Sequence, residues 1–330
     1  MQRVTGSLFG LAYGDALGAP TEFLSVEQIQ QRYGPAGPRE LVGQPATVTD
    51  DTQMALAVGW ALYDADGPTP ELLEPSFRQR FVDWSLSPDN NRSPGATCMR
   101  ACASLAAGLP VVEATVPTSK GCGANMRATP VGLVPGIDLD LVAAMAQLQA
   151  AMTHGHPTAL AAADLTASAV WLLRHDIALA DLPRVLRERC DTQRETYHGD
   201  WLGDIWQQAG DASPAAFATR GWDECATALD RLIHALAGPD DGGDASALTG
   251  AGWVAEEALA TALYCAVRHA DQPVDALARA ASTSGDSDSI ASLTGAFLGT
   301  AYGMEIWPAD WADRIEYADQ LAALASAWEK

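Results

Sequence analysis

Positive charge is scarce in this sequence. Against 42 Asp and Glu the 330-residue chain sets only 20 Lys and Arg, a formal net charge of -22 at pH 7. That excludes the basic surface on which phosphate-backbone binding by counterion release depends, so no nucleic-acid partner is expected. Two readings of the acid remain: a self-repelling, solvated surface, or clusters that hold hard divalent cations. Long apolar runs are missing too. The charge-free stretch SIASLTGAFLGTAYGM is too short and too rich in Gly, Ser and Thr for a membrane span, and Asp15 falls where the apolar region of a secretory signal would still be running. No membrane partner is expected, and a cytoplasmic location follows.

Cysteine is sparse: Cys98, Cys102, Cys122, Cys190, Cys225 and Cys265 are scattered along the chain. This favours free thiols in a reducing compartment. Cys98 and Cys102 have helical i, i+4 spacing, but no second Cys or His pair follows at a zinc-like interval, which makes them core thiols. Alternating β-branched runs are lacking as well. What recurs is Ala and Leu at helical spacing, as in LVAAMAQLQAAM, TALAAADLTASAVWLLRH and EEALATALYCAVRHA. The expectation is an all-α fold of roughly ten or more helices, a single compact multi-helix domain over residues 1–330. Breaks rich in Pro, Gly, Asp or Asn fall at 34–43, 87–94, 110–123, 135–136 and 238–243. The last contains GPDDGGD, which reads as a linker or a surface loop, with no composition shift across it. No heptad pattern appears, and a monomer is the expectation.

Two short segments echo each other. GSLFGLAYG (6–14) and GAFLGTAYG (295–303) share G-x-x-x-G-x-A-x-G, and small residues every four positions let helix backbones approach closely. The two ends of the chain are expected to pack in the core, against each other. Acidic stretches lie beside both: TDDTQM (49–54) and GDSDS (285–289). A helix start needs one side-chain oxygen as a cap, yet Asp50 and Asp51 adjoin, and Asp286 and Asp288 repeat the excess. An EF-hand is excluded, because counting from Asp286 puts Ala291 where that loop needs Gly and Phe297 where it needs Glu. Brought together, the two starts would supply four carboxylates and neighbouring hydroxyls, an all-oxygen set suited to one or two Mg²⁺ or Mn²⁺ ions. The loop TSKGCGANMR (118–127) reads as an ordinary turn, or as a glycine-punctuated loop whose N–H groups approach a diphosphate.

In order along the chain, GSLFGLAYGDALGAPTEF, TDDTQM, SKGCGANMRATPVGL, THGHPTA and GDSDSIASLTGAFLGTAYG resemble the ADP-ribosylglycohydrolase family, from about residue 5 to about 305. The resemblance implies a compact all-α domain with a dinuclear Mg²⁺ or Mn²⁺ centre that hydrolyses the glycosidic bond joining ADP-ribose to a modified group. It implies that Thr49, Asp50 and Asp51 bind the metals from one side and Asp286, Asp288 and Ser289 from the other, Ser289 standing where many members have Thr. It further implies that Glu22 borders the ribose and the metals as base or gate, with proton transfer by Glu22 or a metal-bound Asp (Asp50, Asp51, Asp288). Ser119, Gly121, Cys122 and Gly123 would line the diphosphate, His154 the distal ribose or phosphates, and Trp253 the ligand.

Lys120 stands where some relatives carry an aromatic, and a cation beside the diphosphate is the expected substitute. His156 keeps the plain reading of a residue at a helix start. Ser93 stands where the nitrogenase-regulating, arginine-specific branch holds an acid, and a hydroxyl cannot pair with a guanidinium by charge. The implied partner is ADP-ribose or an ADP-ribosylated protein, nucleobase or small molecule. The rival is a catalytically inactive ADP-ribose-binding protein, which predicts damaged ligand positions; all six here keep oxygen donors.

Overall fold

In the computed structural model, which describes residues 2–240 and 242–329, the two ends of the chain form the centre of the molecule. Helix Arg3–Gly18 and helix Ser287–Tyr302 lie antiparallel with nearly every residue buried. Glycine makes this possible. A Cβ on Gly6, Gly10 or Gly14 would enter the backbone of Gly303, Gly295 or Ala291, and a Cβ on Gly295 or Gly299 would enter that of Gly10 or Gly6. The seam is therefore backbone against backbone, as the repeated pattern implies. Side chains pin it: Thr300 Oγ1 donates to Ser7 Oγ (2.8 Å), Ser7 Oγ to Ala296 O (3.2 Å), and Trp307 Nε1 to Gly6 O (3.0 Å).

The antiparallel sense decides where the chemistry sits. The C-terminal end of the first helix abuts the N-terminal end of the second, so that a Cβ on Gly18 would meet Asp288 Cα. Thr21 Oγ1 and Ser287 Oγ, 3.0 Å apart, close this end of the seam. Glu22, just past the first helix, is thereby brought beside Asp286 and Asp288.

Around this pair the remaining helices form an all-α domain, eighteen α-helices among the described residues, with only isolated β-bridges. Helix Pro157–Arg174 is buried along almost its whole length and packs against Leu139–Ala151 and Pro214–Ala237. Its first turn carries Pro157, whose missing N–H costs nothing there. The glycine- and proline-rich breaks lie between helices, except that 110–123 includes the one-turn helix Val111–Ala114 and reaches a 3₁₀ turn, Cys122–Ala124. Asp241, within GPDDGGD, lies outside the described residues. All six cysteines are free and buried. Among the described residues no helix is long and apolar enough to cross a membrane.

Candidate active site

At the end of the glycine seam a cleft of about 370 Å³ opens. One wall is acidic. Glu22, Asp50, Asp51, Asp286, Asp288 and Ser289 all face it, so the two helix starts separated by more than two hundred residues do converge. Glu22, Asp286 and Asp288 each present an oxygen within 4.8 Å of the others. Thr49 is buried behind this wall, its Oγ1 accepting from Asp51 N (3.3 Å) as the N-cap of helix Asp50–Asp64.

Why two acids adjoin at this helix start is answered by a residue whose role is not evident in the sequence. Asp15, fully buried on the first helix, accepts from Thr49 N (3.0 Å), Thr52 N (3.1 Å) and Thr52 Oγ1 (2.5 Å). It caps the helix from another element. Asp50 and Asp51 are thus released from capping, and Asp51 Oδ1 is buried with no hydrogen-bond partner. In sequence Asp15 is a single acid set among Gly and Ala on an apolar helix, in AYGDALG, with nothing nearby to name its partners.

Electrostatics sharpen the picture. Burial first, then the charge of Asp288, pushes Asp15 up to about 7, Asp50 up to about 7 and Glu22 up to about 8. Asp51 and Asp286 are also driven well above the ordinary carboxylate range by burial and by Asp288, and burial raises Asp288 itself. Repulsion among the buried carboxylates adds to the cost of burying them. An all-oxygen set of buried carboxylates, one with an orphaned oxygen, fits a hard divalent cation.

The facing wall is backbone and imidazole. Gly121, Cys122 and Gly123 line it, with His154 behind them: a Cβ on Gly121 would sit 3.5 Å from His154 Nε2, and one on Gly123 3.2 Å from Cε1. The loop is held by Cys122 N donating to Trp253 O (3.2 Å) and Ala255 N to Lys120 O (2.9 Å). Thr153–Gly155 is held by Val116 N donating to Thr153 O and Gly155 N to Val116 O, both 3.0 Å. Burial and then the Arg127 charge push His154 down to about 3.

The rim is aromatic. Phe23, at φ +65°, stacks on Trp253 with ring centroids 5.4 Å apart, and both rings are exposed. Gly252, at φ +83°, lets the chain turn into Trp253 where a Cβ would strike Ile290. Ser93, at φ +55°, lies on the loop that closes the cleft from the other side.

Residues 1–330 match the profile of the ADP-ribosylglycohydrolase family. The chain belongs to that family. It is 35% identical over 170 residues to the ADP-ribosyl-[dinitrogen reductase] glycohydrolase of Rhodospirillum rubrum, covering 48% of this chain and 54% of the relative. It is 25% identical over 335 residues to ADP-ribosylarginine hydrolase Tri1 of Serratia proteamaculans, covering 98% and 78%. The fold of a solved ADP-ribosylglycohydrolase-related protein complex matches with a TM-score of 0.65 at 25% identity, covering 99% of this chain and 97% of the other. Activity of the ADP-ribosyl glycohydrolase type follows from membership.

As an ADP-ribosylglycohydrolase the chain departs from the sequence expectations at one position. Lys120 is not a free cation beside the facing wall, because its Nζ donates to Glu224 (2.7 Å) and Glu256 (2.5 Å). Only its carbonyl serves the loop. The Ser119 hydroxyl lies 2.9 Å from that of Thr97, which lines the cleft, and 3.7 Å from where a Cβ on Gly121 would sit. His156 caps helix Pro157–Arg174, its Nε2 2.7 Å from Arg220, in keeping with its plain reading.

Proposed function

We propose that this protein hydrolyses the glycosidic bond between ADP-ribose and an acceptor, with a pair of Mg²⁺ or Mn²⁺ ions held by Thr49, Asp50, Asp51, Asp286, Asp288 and Ser289. The observation that carries the reading is the convergence of five cleft-lining carboxylates, raised in pKa, opposite a wall of glycine backbone and imidazole. When bound, such ions polarise the ribose hydroxyls and lower the pKa of a water.

The chain's own residues divide the rest. Asp15 fixes the register of Thr49 to Thr52 and so aims Asp50 and Asp51. Glu22, half-buried beside Asp286 and Asp288, stands where it can exchange a proton with a group bound in the cleft. Gly121, Cys122 and Gly123 allow the diphosphate close to the backbone, with His154 donating from behind. Phe23 and Trp253 offer a flat face at the mouth for a planar group of the ligand. The uncharged Ser93 provides no carboxylate for a guanidinium, which directs the search for the acceptor beyond arginine to serine, nucleobase and acetyl linkages.

The test is release of ADP-ribose from arginine-, serine- and nucleobase-linked substrates and from O-acetyl-ADP-ribose, with Mg²⁺ or Mn²⁺ and with EDTA. Cation-dependent release from one linkage is the expected result. Tight ADP-ribose binding without release from any of them would replace the hydrolase by a binding protein.

A further inference from the structure

Behind the facing wall lies a charge that the sequence reading does not use. Arg127 is fully buried, and its guanidinium hydrogen-bonds neutral acceptors: Nε to Gln149 Oε1 (2.8 Å), Nη2 to Gln149 O (2.9 Å) and Nη2 to Thr153 Oγ1 (2.8 Å). Its Nη1 lies 3.7 Å from Cys98 Sγ, and its face covers the Phe81 ring at 4.3 Å. Thr153 Oγ1 lies in turn 2.8 Å from His154 Nδ1. Three side chains thus run in series from a buried cation to the imidazole that faces Gly121 and Gly123.

The order of donors along this series is fixed by chemistry. A guanidinium can only donate, so Thr153 Oγ accepts from Arg127 and keeps one proton to give. Two acceptors are in reach, the Cys98 sulfur and His154 Nδ1, and a thiol sulfur is the far weaker one. The proton therefore points at Nδ1, which must be bare, and the ring proton sits on Nε2. The opposite tautomer would aim a lone pair at the cleft wall that the glycines keep open. Burial and the nearby guanidinium also hold the ring neutral, with its pKa pushed down to about 3.

We propose that Arg127 is a positioning residue which, through Thr153, locks His154 as the Nε2–H tautomer and so makes it a permanent one-proton donor to an acceptor oxygen of the ligand, a phosphate oxygen above all. The binding half of this proposal rests on the ADP-ribose reading of the cleft; the tautomer half does not.

Two-bond ¹H–¹⁵N correlation spectra of the ¹⁵N-histidine-labelled full chain read the tautomer directly, with His154→Gln assigning the signal. The expected result is a single Nε2–H signature for His154 from pH 6 to 8, before any ligand is added. In Thr153→Val the signature becomes an average of two tautomers and ADP-ribose binding by calorimetry weakens about tenfold, whereas Thr153→Ser keeps both within about twofold. A merely structural role would leave the tautomer untouched.

An Nδ1–H or imidazolium signature in the unaltered protein overturns the proposal without any variant, so it stays testable even if Thr153→Val fails to fold. An unchanged tautomer in folded Thr153→Val overturns it as well, and a changed tautomer with unchanged affinity overturns its binding half. Absence of ADP-ribose binding to the unaltered protein, with the tautomer as expected, would instead count against the proposed function.

Discussion

The two walls of the cleft meet opposite electrostatic problems. On one, six carboxyls including Asp15 are crowded at the end of a glycine seam, and burial drives them toward protonation. On the other, the buried Arg127 guanidinium has neutral hydrogen-bond partners, and the groups facing the cleft are backbone and imidazole. The first wall is unsatisfied until positive charge arrives; the second suits negative charge. On the proposed reading, that difference would orient a ligand with a diphosphate at one end and hydroxyls at the other before any chemistry occurs.

Removing charge from the acidic wall should have the largest effect. Asp286→Asn with Asp288→Asn is expected to lower cation-dependent turnover by more than about 100-fold while the circular dichroism spectrum stays helical, since even groups that only orient metal ligands are worth 10- to 100-fold. Next comes the seam that carries that wall. Gly295→Val puts side-chain atoms into the backbone of Gly10 and should cost about 3 kcal/mol or more in denaturant unfolding, because a backbone contact cannot repack as a side chain does.

Asp15→Asn tests the cap from behind. It keeps the shape but replaces the carboxylate that accepts from Thr49 N, Thr52 N and the Thr52 hydroxyl, and cation affinity by titration calorimetry should fall about 10- to 100-fold. An unchanged affinity would detach Asp15 from the acidic wall.

A smaller effect is expected from pH. Asp15, Glu22 and Asp50 titrate at about 7 to 8 in the folded chain, above their unfolded values, so folding takes up protons and the stability they contribute is lost as pH rises through that range. Chelator-treated protein should melt lower at pH 8 than at pH 5.5, and Mg²⁺ should raise the melting temperature at pH 8 by about 2–5 °C and less at pH 5.5. A rise of equal size at both values would argue against these carboxyls as the site of action. Least affected should be ligand binding in Lys120→Met: ADP-ribose affinity is expected within about twofold, because Nζ already serves Glu224 and Glu256, while the melting temperature drops as Glu256 loses its buried partner.

Local signals made much of this legible. Helical periodicity implies the all-α class, and the paired G-x-x-x-G segments imply a close seam, because both are properties of a few residues on one face of a helix. Asp50, Asp51, Asp286 and Asp288 stand out as acid in excess of capping. Asp15 and Arg127 do not, since each is a single charged residue whose partners lie more than twenty residues away in sequence. Lys120 misleads for the same reason: the carboxylates that claim it, Glu224 and Glu256, are more than a hundred residues away.

The sequence by itself determined the helical class, the residues able to pack backbone to backbone, and the oxygen donors present. Tertiary structure alone decided which of those donors meet. The antiparallel sense of the glycine seam carries Glu22 to Asp286 and Asp288, and burial at its end raises the pKa of acids that would be ordinary in solvent, because desolvation acts on a group only once its neighbours have excluded water.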